Sequence, residues 1–255
     1  MIASLGMYDR AETAGANDRF WALIAEALRA RGLTAPAHLT RGDGAYWPAW
    51  QDPALILSQT CGFPYRAKLR DHVTLIATPD YGLPDCPPGY YASVFVARAD
   101  DARSLPEFRT ARFAYNEGLS QSGWAAAQNH AASMGFHFAP SLETGGHRLS
   151  AEAVAAGRAD LAALDALTWR MIQRWDPVAA QLREVARTAP TPGLPYIAAK
   201  GADAKATYHA LIEATHALSA ADRDTLCLRG IVRIDPAAYL AVPIPPAPDQ
   251  IARLS

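Results

Sequence analysis

Two serines and a glycine at the start of a predicted helix are the residues of this chain best suited to binding chemistry. The sequence Ser-Gln-Ser-Gly at 120–123 follows a short apolar run at 111–115 and precedes a helical segment at 124–133. The first N–H groups of a helix have no partner within it, and the peptide dipoles leave partial positive charge there. Hydroxyls and N–H groups at such a position can hold a phosphate, a phosphonate or a carboxylate. An ordinary helix cap is the alternative interpretation, because serine is favoured at that position in any helix.

The same strand–turn–helix junction also allows a serine hydrolase, because it resembles the nucleophile elbow Gly-x-Ser-x-Gly. With Ser120 as the nucleophile, Asp165 followed by His209 or His216 would keep the chain order serine, aspartate, histidine. Against this hypothesis, Ser122 stands where the elbow has its second glycine, and both histidines fall on a predicted helix. A hydrolase is therefore the alternative function.

Composition argues against two classes of partner. The chain has 255 residues, half of them hydrophobic, and a net charge of −1. Binding to a nucleic-acid backbone needs clustered lysine and arginine, so we expect no nucleic-acid partner. No apolar run approaches the length of a membrane span, so we expect no membrane insertion.

The cysteines and histidines form no metal-binding pattern. His130, His137 and His147 lie too far apart for a metal pair on one helix, and no carboxylate cluster joins them. The cysteines have an odd count and no CxxC pair, which favours small buried side chains over a zinc site or a disulfide framework: Cys61, Cys86 and Cys227. We therefore expect neither a metal nor a cofactor.

Strand-like and helix-like segments alternate along the chain, which predicts an α/β fold with a mainly parallel sheet. Pro-rich breaks at 82–89 and 189–195 each adjoin a β-like run. We interpret these two breaks as points where the chain crosses between two domains, which predicts a middle domain inserted into an outer one. Residues 1–90 and 190–255 would form the outer lobe, and residues 91–189 the inserted lobe. A cleft between two lobes is a favoured place for a ligand.

Several segments, taken in order, resemble the phosphate/phosphite/phosphonate-binding proteins of ABC transporters, which have the two-lobed type II periplasmic-binding-protein fold. In that family a Ser-Thr-Ser-Gly loop holds the anion, and two hinge strands join the lobes. The matching segments are Gln-Thr-Cys-Gly-Phe-Pro-Tyr at 59–65, Tyr-Tyr-Ala-Ser at 90–93, Ser-Gln-Ser-Gly at 120–123, Gly-His and the following helix at 146–160, and Thr-Ala-Pro-Thr-Pro-Gly-Leu-Pro at 188–195.

The resemblance implies which residues contact the ligand. From the inserted lobe these would be the loop residues and one histidine: Ser120, Gln121, Ser122, Gly123 and His147. From the outer lobe a phenol would close over the anion: Tyr46, with Tyr90 or Tyr91. Hydroxyls and backbone N–H groups can surround tetrahedral oxygens, and a phenol or an imidazole adds a further directed donor.

Two departures from the family pattern bear on the ligand. Family members that bind aminophosphonates carry acids where this chain has Leu167 and Leu194. An ammonium group buried without a carboxylate is strongly disfavoured, so we expect an anion without an amine. Asp165 is near enough in sequence to Leu167 to replace the missing acid.

The resemblance implies a monomeric solute-binding protein that closes by hinge motion and delivers a small anion to an ABC transporter permease. The family is periplasmic, whereas residues 1–8 of this chain show no secretory signal. As given, the chain would remain in the cytoplasm. A cytoplasmic ligand sensor with the same fold is therefore a further hypothesis.

Overall fold

The chain passes three times between two units in the computed structural model, which describes residues 1–253. The first unit comprises Met1–Tyr90 and Pro192–Leu240. The second comprises Tyr91–Thr191 and the segment that begins at Ala241. None of the helices within residues 1–253 has the length and hydropathy needed to cross a bilayer.

Strands and helices alternate in both units, as expected for an α/β fold, but the prediction of a mainly parallel sheet was wrong, because most of the described strand pairings are antiparallel. The strands are β1 (Ile2–Ser4), β2 (Leu55–Gln59), β3 (Val73–Asp80), β4 (Tyr90–Tyr91), β5 (Ser93–Arg98), β6 (Phe113–Tyr115), β7 (Pro140–Glu143), β8 (Leu161–Asp165), β9 (Leu182–Arg187), β10 (Thr191–Pro192), β11 (Tyr196–Ala199) and β12 (Gly230–Val232). The helices are α1 (Ala14–Arg29), α2 (Trp47–Trp50), α3 (Gly62–Pro64), α4 (Ala126–Ser133), α5 (His147–Ala155), α6 (Ala166–Trp175), α7 (Ala204–Ala217), α8 (Ala220–Thr225), α9 (Pro236–Leu240) and α10 (Pro248–Ala252).

The first unit is built on a five-stranded sheet in the order β1-β2-β11-β3-β12. Strand β1 pairs parallel with β2, whereas β11 runs antiparallel to both β2 and β3. The apolar faces of α1 and α7 form one hydrophobic core, which includes Phe20, Trp21 and Leu211. A separate core contains Trp50, Ile197 and other buried residues. Burial of these faces supplies the main driving force for folding of this unit.

The second unit has a five-stranded sheet in the order β7-β6-β8-β5-β9. Strand β6 is parallel to both β7 and β8, while β5 is antiparallel to β8 and β9. The carboxyl ends of β6, β7 and β8 therefore meet at one edge of the sheet, where β5 begins. In open α/β sheets, ligands bind outside the carboxyl ends of the strands. We call this edge of the second unit the carboxyl edge.

The last segment of the chain belongs to the second unit, whereas the sequence analysis placed it in the first. The indole Nε1 of Trp124 donates to the Pro246 carbonyl at 3.1 Å, and Asn129 Nδ2 donates to the Pro243 carbonyl at 2.9 Å. These side chains of the second unit hold the Pro-rich segment. The prediction that residues 190–255 belong to one lobe was wrong for 241–253, because two crossings were inferred from the Pro-rich breaks and the third, after Leu240, was not; residues 254–255 lie outside the described part of the chain.

Candidate functional site

The segment Ser120–Gly123, which we call the Ser-Gly loop, lies at the carboxyl edge just after β6. It opens one wide turn, Gln121–Ala125, in which Ala125 N donates to the Ser120 carbonyl, five residues back, at 2.9 Å. Helix α4 continues from this turn. Because the first N–H groups of a helix lack intrahelical acceptors, the turn presents donors to a ligand.

The two serines of the loop have different partners. Ser120 is the helix cap, since its hydroxyl accepts from Gly123 N at 3.1 Å. The alternative interpretation of the serine segment as an ordinary helix cap therefore applies to Ser120. Ser122 instead lies 2.9 Å from His147 Nε2, a contact between residues 25 positions apart in sequence. Ser122 is consequently the loop hydroxyl whose contact is not explained by helix capping.

His147 reaches the Ser-Gly loop because β6 and β7 are adjacent in the sheet. It is the first residue of α5, which follows β7, and Gly146 before it is extended, with φ −171° and ψ 151°. The carboxyl ends of parallel neighbours lie side by side. The sheet thus brings together two residues that the sequence analysis assigned to one site, and their common contact with a ligand stays a prediction.

Burial lowers the pKa of His147 to about 4, and a hydrogen bond with the Ala163 backbone offsets part of this shift. The ring is therefore neutral at pH 7, and only one of its two nitrogens carries a proton. If that proton is on Nε2, the ring donates to Ser122 Oγ and leaves the hydroxyl hydrogen free for an anion. The opposite tautomer would turn the hydroxyl toward the ring.

The side chain of Asn116 leaves no room for a side chain at position 123. A Cβ atom on Gly123 would overlap Asn116 Oδ1 and would lie 3.2 Å from Asn116 N. Asn116 Oδ1 is itself buried and has no hydrogen-bond partner. The glycine is thus required by close packing, and Asn116 lies directly behind the loop. Asn116 was not among the predicted site residues, although it stands immediately after the apolar run of β6 in the sequence.

Gly123→Ala should destabilise the protein by about 1–3 kcal/mol, because the added methyl group must displace the Asn116 side chain. Asn116→Ala in the same chain should remove much of that cost, since the overlapping oxygen is gone. Urea denaturation of the two single variants and the double variant forms a cycle that isolates the interaction. Additive destabilisation in the double variant would contradict the proposed overlap.

Asp165 lies at the carboxyl edge, at the end of β8, and caps helix α6. Its Oδ1 accepts from Leu167 N at 2.7 Å and from Thr168 N at 2.9 Å. The side chain is only 3% exposed, and in the sheet register Asp165 pairs with Ser93 at the start of β5. The same strand order thus places Asp165 on the edge that carries the Ser-Gly loop. Its role toward a ligand stays a prediction.

Two glutamates near the loop were missed by the sequence analysis. Burial raises the pKa of Glu117, and repulsion from Glu143 adds to that increase. The Tyr115 hydroxyl donates to Glu143 at 3.4 Å, and burial together with Glu143 raises the pKa of Tyr115 to about 12. These residues follow or end β6 and β7, so their proximity depends on strand order, which the sequence alone does not specify.

The predicted tyrosines divide between the two units. Tyr46, in the first unit, donates its hydroxyl to the Gly6 carbonyl at 3.1 Å, and its ring packs edge-on against Trp50. It remains 38% exposed. Tyr90 is half-buried at the end of the first unit, and Tyr91, at the start of the second, is only 3% exposed. Contacts of these phenols with a ligand remain predictions.

The hydrolase alternative gains no support from the arrangement of its residues. Ser120 and Asp165 both cap helices, as described above. His209 and His216 lie on α7 of the first unit, whereas Ser120 and Asp165 belong to the second. The serine–histidine contact that does form joins Ser122 to His147. Across residues 1–253, no group of three or more histidine, cysteine, aspartate and glutamate side chains is placed to hold a metal ion.

Comparison with known proteins gives one family match. A family described as the periplasmic substrate-binding protein of phosphonate ABC transporters matches residues 57–239. None of the curated proteins matches the sequence.

Among solved structures, PhnD1 from Prochlorococcus marinus in complex with methylphosphonate has a TM-score of 0.70 and 14% identity, covering 99% of this chain and 97% of that one. A binding-protein component of a phosphonate ABC transporter from Pseudomonas aeruginosa has a TM-score of 0.69 and 15% identity, covering 94% and 82%. XAC2383 from Xanthomonas citri, bound to chloride, has a TM-score of 0.67 and 17% identity, covering 93% and 92%. These likenesses confirm the predicted α/β fold of the periplasmic binding proteins.

Proposed function

This chain belongs to the family of periplasmic substrate-binding proteins of phosphonate ABC transporters, and from that premise we propose that it captures a small oxyanion for ABC-type import. The family is one of transport proteins rather than enzymes. We propose phosphate or a phosphonate without an amine as the ligand class. The observation that carries this proposal is the contact between Ser122 and His147 at the carboxyl edge, 2.9 Å long.

The residues of the second unit would bind the anion while the His147 ring stays neutral, so His147 would contribute no positive charge. The first-turn N–H groups and the Ser122 hydroxyl would donate to the anion oxygens, and the dipole of the helix would favour the negative charge. Charge-assisted hydrogen bonds of this kind are stronger than neutral ones. In this proposal Gln121 adds an amide donor, and Tyr46 with Tyr90 or Tyr91 completes the set as the hinge closes.

Two experiments test this function directly. Mass spectrometry of small molecules that co-purify with the folded protein would identify a retained ligand. Calorimetric titration with methylphosphonate and with inorganic phosphate would measure affinity. Binding of neither anion would refute the proposal. Steady turnover of an ester substrate that is lost in Ser120→Ala would instead favour the hydrolase.

Methylphosphonate should bind at least tenfold more tightly than 2-aminoethylphosphonate. The aminophosphonate carries an ammonium group, and the positions of the family's acids hold Leu167 and Leu194, which are 0% and 3% exposed. Burying an ammonium group against such side chains is costly. Competition calorimetry with the two phosphonates, which differ in the aminomethyl group, measures the preference.

A much tighter aminophosphonate would overturn this expectation and point to an acid at the carboxyl edge. Asp165→Asn and Glu117→Gln would then identify it, because only the variant that removes the responsible charge should abolish the preference for the amine. Asp165→Asn retains a side-chain oxygen that can cap α6, so the helix start is preserved.

A further inference from the structure

A Pro-rich segment after Leu240 lies along the helix that begins at the Ser-Gly loop. We call residues 242–248 the strap. The strap runs antiparallel to the residues on which it lies, with Pro248 beside Gly118 before the loop, Pro246 beside Trp124 in the wide turn and Pro243 beside Asn129 in α4. A Cβ on Gly118 would lie 3.0 Å from Pro248 Cγ, Trp124 Nε1 donates to the Pro246 carbonyl at 3.1 Å, and Asn129 Nδ2 donates to the Pro243 carbonyl at 2.9 Å.

The strap has the chemistry of an extended segment recognised through its carbonyls. Proline has no N–H group and a fixed φ, which favours the polyproline II conformation. Ala247 has φ −67° and ψ 159°, close to that conformation. Aromatic side chains commonly dock such segments, which are pre-organised and lose little entropy on docking. Trp124 is such an aromatic side chain, Asn129 adds a second donor, and the docked segment is part of the same chain.

Trp124 connects the strap to the loop. It directly follows Gly123, lies within the turn Gln121–Ala125, and is 0% exposed. Its ring packs against Tyr115 of β6 with centroids 4.8 Å apart, while its indole N–H is held by Pro246. The indole is thus fixed from two sides, and the turn that carries the loop N–H groups is fixed with it.

We propose that the strap is a positioning element of the anion site, which holds the first turn of the helix in its binding geometry through Trp124 and Asn129. This inference rests on the proposed function. Trp124 and Asn129 are positioning residues, because they act on the ligand through the Ser-Gly loop. The strap is also the reason for the third passage of the chain between the units.

The test compares three variants of the full chain. Trp124→Phe and Asn129→Ala each remove one donor to the strap. Trp169→Phe is the matched control, since Trp169 is also in the second unit, is 2% exposed, and donates its Nε1 to Glu184 at 2.8 Å. The readouts are methylphosphonate affinity by calorimetry and amide hydrogen exchange at residues 121–125, measured without ligand.

We expect Trp124→Phe and Asn129→Ala to weaken binding about fivefold each, the equivalent of one net hydrogen bond. Exchange at 121–125 should become faster in both, and Trp169→Phe should leave affinity and this exchange unchanged. Unchanged exchange in both strap variants, or equally faster exchange throughout the second unit, would overturn the proposal. If the unaltered protein binds neither methylphosphonate nor phosphate, the proposed function fails, while the ligand-free exchange result still decides whether the strap orders the loop.

Discussion

Replacing Ser120 and Ser122 together by alanine should lower anion affinity at least tenfold. The Ser122 hydroxyl, as a donor to a charged oxygen, contributes about 1.5–3 kcal/mol, so its loss alone lowers affinity by about one order of magnitude or more, and loss of the Ser120 cap disturbs the turn that presents the N–H donors. Calorimetric titration with methylphosphonate measures the change. Unchanged binding in the double variant would refute the assignment of the loop as the anion site.

The single variants should separate capping from binding. Ser120→Ala should lower the free energy of unfolding by about 1 kcal/mol, because it removes the acceptor for Gly123 N. Ser122→Ala leaves that cap intact and should act mainly on affinity. Ser133→Ala is the matched control, because Ser133 lies at the far end of α4 and its hydroxyl donates to the His130 carbonyl at 2.7 Å. It should change neither anion affinity nor the cap.

Lowering the pH from 7 to 4 should reduce the free energy of unfolding by about 3 kcal/mol through His147 alone, since each unit of pKa difference contributes 1.36 kcal/mol. The folded-state pKa of about 4 lies below 6.5, the ordinary pKa of a histidine side chain. Between these two values the unfolded chain binds the proton and the folded protein does not. The contribution is therefore fully present above pH 6.5 and is lost as the pH falls toward 4.

Urea denaturation at several pH values, compared between the unaltered protein and His147→Asn, measures this contribution. The variant should lose the part of the acid destabilisation that belongs to His147. His216→Asn, at an exposed position on α7, is the control and should follow the unaltered protein. Identical pH profiles for the unaltered protein and His147→Asn would contradict the burial of a neutral ring at this site.

Local signals predicted one part of the site, and strand order determined the rest. A glycine-containing serine segment after an apolar run is enough to predict a helix start at 120–123, because capping involves residues close in sequence. The contact of Ser122 with His147 depends on β6 and β7 being neighbours. The positions of Glu117 beside Glu143 and of Asn116 against Gly123 likewise depend on packing. No local pattern carries that information.

The docking site of the Pro-rich segment at 242–248 could not be predicted from the sequence either. The Pro-rich composition of residues 242–248 does not indicate where this segment docks, because the donors that hold it, Trp124 and Asn129, lie over a hundred residues earlier in the chain. The wide turn at Gln121–Ala125 was also not predicted: the helix was expected to begin at residue 124. Both features arise from contacts between distant parts of the chain.

The central strand β11 of the first unit carries a consequence for the order of folding. It pairs with β2 and β3, although the entire stretch 91–191 of the second unit separates it from them in sequence. Strands β4 and β10, at the two ends of that stretch, pair with each other. Once the inserted stretch has folded, the loop that β11 must close shrinks from over a hundred residues to roughly 15, which lowers the entropic cost by about 2 kcal/mol. The entropic cost of completing the sheet of the first unit is therefore lowest on a pathway in which the inserted stretch folds first.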